Sequence, residues 1–284
     1  MAVPHKVWIF LAVGLAAASQ SGNIIRLGDA HPVAIAAWRL ILATGLLAPL
    51  AGRRLAQLAT LRPRQVALLA AAGVALATHF FAWIAAVQLT TVANASMVFA
   101  VNPVLTAAGA WLVYREPVSL RLAISVALGL GGVAALGGAD LSLAPGNLPG
   151  DLAALICSVL FTVYFLLGKH LRSVLDTDVY VTALYGVAAV ASVAVLLALD
   201  LPLVDYDRRT WLCFALMALV PTMIGHTSFN NAVRYIEAGR ISALTLTEPM
   251  LASIVAYYAW GEGVHAGALA GYALISVSVL ALVV

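Results

Sequence analysis

Unbroken apolar runs of about twenty residues recur along the whole chain, and they leave few folds open. Of 284 residues, 63% are hydrophobic and 10% charged, where a soluble domain carries about a quarter charged. Charges this few cannot cover a water-facing surface, so apolar surface must face lipid. There a backbone has to satisfy its own polar groups, in helices or in a closed barrel. Runs of this length do not fit the ten-residue alternation of barrel strands. The expected class is all-α integral membrane.

Ten spans are expected, at 7–26, 33–51, 65–88, 92–113, 120–138, 150–169, 179–199, 210–234, 240–260 and 265–284. Turn and charge signals separate them: His31-Pro32, Arg53-Arg54, Arg62-Pro63-Arg64, Arg115-Glu116-Pro117 and the stretch from Asp140 to Asp151. The first run follows His5 and Lys6 and is read as a retained helix, because further spans follow at once. Trp8, Trp111, Trp211 and Trp260 fall near span ends, as in an aromatic belt. Alternate connections hold eleven basic residues on one side (Lys6, Arg53, Arg54, Arg62, Arg64, Arg115, Arg121, Lys169, Arg172, Arg234, Arg240) against three on the other (Arg26, Arg208, Arg209). That bias places both termini in the cytoplasm. Cys157 and Cys213 lie in apolar runs without redox or metal spacing.

The second half echoes the first at an offset of 146 residues. Pro103 precedes Glu116 by thirteen residues, and Pro249 precedes Glu262 by thirteen. Asn102-Pro103-Val104-Leu105 aligns with Glu248-Pro249-Met250-Leu251, and Ser96 with Ser242. The expected units are 1–140 and 146–284, five helices each, forming one membrane domain. Five is odd, so the second unit enters the membrane inverted. Inverted repeats characterise secondary transporters, in which two similar halves exchange conformations. Gene duplication without transport is the plainer alternative.

Polar side chains within spans are expensive and become functional candidates. These are His79, Asn102, His226, Asn230 and Glu248, with Gln20 and Asn23 in the first span. Each can equally hold helices together by hydrogen bonds. Glu248 is the one acid placed within a span, a candidate for binding a proton or a substrate amine. Arg39 lies inside the second span and reads first as structural, with a substrate carboxylate as the alternative. Pro103 and Pro249 free the carbonyls of Phe99 and Thr245, and their matched placement suggests hinges. Phe80, Trp83, Phe99, Tyr164, Phe229 and Tyr257 are candidates for an aromatic wall. Gly263, Gly267 and Gly271, echoed by Ser125 and Gly129, permit close helix packing.

Together these features resemble the EamA-type branch of the drug/metabolite transporter superfamily. The likeness rests on His31-Pro32 followed by Trp38-Arg39, on Asn102-Pro103, Arg115-Glu116 and Gly129, and on Pro249, Glu262 and Gly271. Arg26 stands where many members have lysine, and Ser125 where glycine is common. The resemblance implies a midplane cavity between the halves, rocking motions and export of metabolites from a bacterial inner membrane. It is similar to bacterial exporters of aromatic and other neutral amino acids. On that reading His79, Trp83, Phe99, Asn102, Tyr164, His226, Asn230 and Glu248 bind substrate, with Pro103 and Pro249 as hinges. No cofactor, metal or nucleic acid is expected; the partners are a small solute and lipid, and a monomer suffices. A broad-specificity drug exporter is the alternative. An intramembrane enzyme lacks its motifs here, with no HExxH and no nucleophile–base pair. A channel lacks a polar stripe or charge ring.

Overall fold

The computed structural model describes residues 3–137, 145–261 and 266–283; Asp140, Glu262 and Gly263 lie outside them. Described residues form fourteen α-helices and no strand. They are α1 (His5–Ala18), α2 (Ser21–Ile25), α3 (Pro32–Ala51), α4 (Pro63–Leu89), α5 (Val92–Phe99), α6 (Asn102–Tyr114) and α7 (Leu120–Gly137), followed by α8 (Leu148–Leu171), α9 (Thr177–Ala198), α10 (Arg208–Met217), α11 (Thr227–Ala232), α12 (Ala238–Leu244), α13 (Glu248–Trp260) and α14 (Ala266–Val283). Seven helical stretches are long and apolar enough to cross a membrane, and two shorter apolar ones cover Leu120–Ala135 and Ala268–Leu282. The expected span at 240–260 is instead two helices, α12 and α13, joined by a 3-10 turn at Thr245–Thr247.

Other expected spans are also broken. The first divides at Ser19 and Gln20, and the fourth at Ala100 and Val101. The eighth contains a π-helical segment, Ala218–His226, around Pro221. Pro103 and Pro249 sit in the first turns of α6 and α13, one turn beyond their breaks. A proline ring excludes the carbonyl four residues earlier, and these carbonyls find other partners. Ser158 Oγ donates to Phe99 O at 3.3 Å, while the Glu248 N–H closes a 3-10 bond to Thr245 O. Helix starts are capped locally. His31 Nδ1 accepts from the Val33 N–H, and Thr91 Oγ1 from the Asn94 N–H. Asp207 accepts from Thr210, which holds its carboxyl below the usual range. Residues 52–60, expected as a loop, form a 3-10 helix tied to α9 by an Arg54–Asp178 ion pair of 2.7 Å.

Adding 146 to a position carries the helix ends of one half onto the other. It converts α6 into α13 and α7 into α14 residue for residue. The residues closing α6 and α13, Arg115 and Gly261, both take the left-handed conformation, at φ 56° and 69°. Packing follows the same exchange. α3 lies along α9, its own counterpart, and α7 along α14, its own counterpart. α4 packs along α8; their equivalents, α10 to α11 and α1, pack on each other. Such an exchange is what a pseudo-twofold axis produces.

The α7–α14 seam shows the direction. Ser125 Oγ donates to Ser278 O, and Ser278 Oγ to Ser125 O, both at 2.8 Å. Seven residues later in α7, Gly132 meets Gly271, seven residues earlier in α14. The two helices therefore run antiparallel. The repeat offset turns Ser125 into Gly271 and Gly132 into Ser278, so one contact is the image of the other. A Cβ on Gly132 would lie 2.9 Å from Gly271 O, backbone that cannot swing aside. Gly131, one residue away, faces open space. Gly132→Val should therefore lower stability by about 1–3 kcal/mol, whereas Gly131→Ala should be neutral or slightly stabilising. Thermal unfolding in detergent checks this; equal melting temperatures would refute the close seam.

Candidate functional site

Where α1, α3, α4, α5, α8, the π-helical segment, α11 and α13 converge, a cavity of about 800 Å³, counting its open mouth, lies between the two halves. It reaches from mid-helix toward the end marked by Gly22, Val92 and Ala252. At the other end the helices are tied shut. Lys169 pairs with Glu116, whose second oxygen accepts from the Ala238 N–H at 3.2 Å. Tyr114 donates to Leu166 O at 2.6 Å.

The wall draws on equivalent positions of both halves. Phe80 and His226 are one such pair under the 146-residue offset; Trp83 and Phe229, Phe99 and Thr245, and Ala100 and Leu246 are the others. All eight line the cavity, so it lies across the pseudo-twofold axis. Its surface is largely aromatic. The rings of Trp83 and Phe99 meet edge-on with centroids 5.7 Å apart, and His226 stands edge-on to Phe80 at 4.9 Å.

His79 and His226 are the two imidazoles here, with ring centroids 5.8 Å apart. His79 Nδ1 lies 2.9 Å from Cys157 O. A carbonyl only accepts, so Nδ1 carries a proton and donates it to Cys157 O. His226 Nδ1 is 2.9 Å from the Tyr164 hydroxyl. Trp83 Nε1 donates to Ser21 Oγ at 3.1 Å, tying α4 to α2. Glu248, at the first turn of α13, faces the cavity next to Pro249. Among the described residues no three His, Cys, Asp or Glu side chains converge as a metal site requires.

Of the expected binding residues, His79, Trp83, Phe99, His226 and Glu248 line the cavity, as does Pro249. Asn102, Tyr164 and Asn230 do not; all three are fully buried in helix packing. Asn102 donates to Ser158 O at 2.9 Å and accepts from Ser242, joining α6, α8 and α12. Tyr164 fixes the His226 ring from behind. Asn230 accepts from Arg172 at 2.8 Å and donates to His226 O. Pro103 is buried beside Asn102, away from the cavity, and Tyr257 is exposed on the outside. The wall also includes residues the sequence did not single out: Ser19, Ser21, Ser96, Phe161 and Pro221. Arg39, read there as structural, lines it too. The repeat was the usable signal, since Ser96 aligns with Ser242 and Phe80 with His226.

The two classes should separate by measurement. Asn102→Ala strands buried partners and should cost about 1–3 kcal/mol, visible as a lower melting temperature in detergent. Glu248→Gln, at a cavity surface, should melt like the unaltered chain; a comparable loss would assign Glu248 to helix packing.

No curated protein matches the chain. A crystal structure of another protein superposes with a TM-score of 0.82 at 19% sequence identity, covering 99% of this chain and 97% of that one. At that identity the likeness concerns the fold. The sequence matches the EamA-like transporter family twice, over residues 6–138 and 148–284. Two tandem matches to one family model, with a cavity walled by both, lead to one conclusion: the chain belongs to the EamA-like transporter family and is a membrane transporter of small molecules.

Proposed function

We propose that this chain is a secondary transporter that exports aromatic and other neutral amino acids by alternating access. In this reading ten crossings form two inverted five-helix units, 1–140 and 146–284, in a bacterial inner membrane with both termini cytoplasmic. A monomer contains the whole pathway. The observation that carries the reading is the cavity wall, built from four pairs of equivalent positions across the two halves.

Unequal surroundings of equivalent residues support alternating access. Asn102 is bonded to Ser242 and fully buried, while their counterparts Glu248 and Ser96 face the cavity. Arg172 is fully buried, whereas its counterpart Arg26 is exposed. Two similar halves in different states are what a rocking carrier exhibits when one end is shut. The shut end carries Lys169, Glu116 and Arg172, on the lysine- and arginine-rich side, so the cavity faces outward. Switching would open the Lys169–Glu116 tie and bring Glu248 toward Ser96, with the breaks before Pro103 and Pro249 as hinges.

The chemistry of the wall favours an amphipathic solute. Trp83, Phe99, Phe161 and Phe229 offer an apolar surface, while His79, His226 and Glu248 offer polar anchors. A zwitterion with an aromatic side chain needs both. A broad-specificity drug exporter would use the same aromatic surface without a charge requirement.

Purified protein in sealed vesicles loaded with unlabelled phenylalanine should accumulate radiolabelled phenylalanine transiently, with saturation. Flux that neither saturates nor responds to internal substrate would refute the carrier reading. An imposed pH gradient should drive this flux, and Glu248→Gln should abolish that drive. Gradient-driven flux unchanged in the variant would remove Glu248 from coupling.

A further inference from the structure

Two arginines lie wholly inside the helix packing, and the protein treats them differently. Arg172 is fully buried; its Nε has no partner, but both terminal nitrogens have acceptors, Nη1 donating to Asn230 Oδ1 at 2.8 Å and Nη2 to Phe165 O at 3.3 Å. It does not border the cavity. Arg39 on α3 is 1% exposed, and only its Nε is engaged, donating to Thr222 Oγ1 at 2.9 Å on the π-helical segment. Nη1 and Nη2 have no hydrogen-bond partner. None of the ion pairs among described residues involves Arg39. The Phe80 ring covers the guanidinium face, 3.7 Å from centroid to Cζ. Among the described residues Arg39 is the one lysine or arginine in the cavity wall.

We propose that Arg39 is the counter-charge for a carboxylate on the transported solute. A buried guanidinium kept for packing alone should have its terminal donors met, as those of Arg172 are, because stranded donors and unpaired charge are costly away from water. Arg39 leaves two adjacent N–H-bearing nitrogens unmet at a ligand cavity, the geometry that pairs with a carboxylate through two parallel bonds. The Phe80 ring covers the face of the guanidinium, and such a pairing uses the edge that carries Nη1 and Nη2. A single carboxylate suits the wall better than a phosphate. Among the described residues there is one lysine or arginine to meet it, while a phosphate carries more charge than one guanidinium offsets.

This inference rests on the solute-carrier reading and assigns its specificity. Calorimetric titration of the purified full-length chain with four probes sharing one phenyl ring tests it: phenylalanine, phenylalaninamide, phenethylamine and 3-phenylpropionate. In the unaltered chain phenylalanine should bind at least about tenfold tighter than its amide, as expected where a site is built for a missing group. Arg39→Gln should bring acid and amide within about threefold of each other, and Arg39→Lys should restore part of the preference. A melting curve for each variant shows that it is folded. Amide and amine binding the unaltered chain as tightly as phenylalanine overturns the role of Arg39 and leaves the carrier intact; so does a folded Arg39→Gln chain that keeps the preference. Binding of 3-phenylpropionate but not of phenylalanine removes the amino-acid reading and retains Arg39. Binding of none of the four removes both.

Discussion

Each half of this protein is completed by the other. α3 lies along α9 and α7 along α14, each against its own counterpart, and α4 packs along α8 of the second half. In lipid no hydrophobic force draws helices together, and association depends on close packing and on hydrogen bonds between helices. The α7–α14 seam supplies both, with Gly132 against Gly271 and the reciprocal bonds of Ser125 and Ser278. Once the seams fix the pseudo-twofold relation, a space on the axis must be walled by equivalent positions of both halves. Phe80 with His226 and Trp83 with Phe229 follow from that geometry rather than from local sequence.

The same constraint explains the broken helices. Away from water, a freed carbonyl has to find a new donor. Phe99 O is met by Ser158, and Thr245 O by a tightened turn at Glu248. The proline positions thus remain irregular without stranding backbone groups, and each break sits against the cavity, with Ala100 on one side and Leu246 on the other. Irregular backbone at membrane depth is tolerated where it is covered by protein or lines a cavity.

Symmetry in sequence does not produce symmetry in state. Asn102 and Glu248 occupy equivalent positions, yet one knits α6, α8 and α12 together and the other faces open space. The sequence departs from symmetry at these positions, an amide on one side and an acid on the other, so the two arrangements need not be equal in energy. The single cation of the wall has no symmetry mate either, since the counterpart of Arg39 is Tyr185, which bonds to Thr222 and Thr227. Arg39 and Glu248 therefore both lack a like counterpart across the axis, and the wall is chemically asymmetric.

Much of the architecture could be read directly from the residues. Apolar run length dictates helices because lipid leaves the backbone no other partner, and the Asn102-Pro103 and Glu248-Pro249 echo marks two related halves. Part of the site was legible in the same way: His79, Trp83, Phe99, His226 and Glu248 are conspicuous as polar or aromatic groups in apolar surroundings. Sequence could not separate Asn102, Tyr164 and Asn230 from them, since a buried amide or phenol looks alike whether its partner is a solute or the next helix. It placed Arg39 inside a span and Arg172 in a connection on the basic side, yet both are buried in helix packing. Only the tertiary structure decided which guanidinium is met by acceptors and which borders the cavity, because hydrogen-bond satisfaction depends on groups more than fifty residues away, on Asn230 for Arg172 and on Thr222 for Arg39.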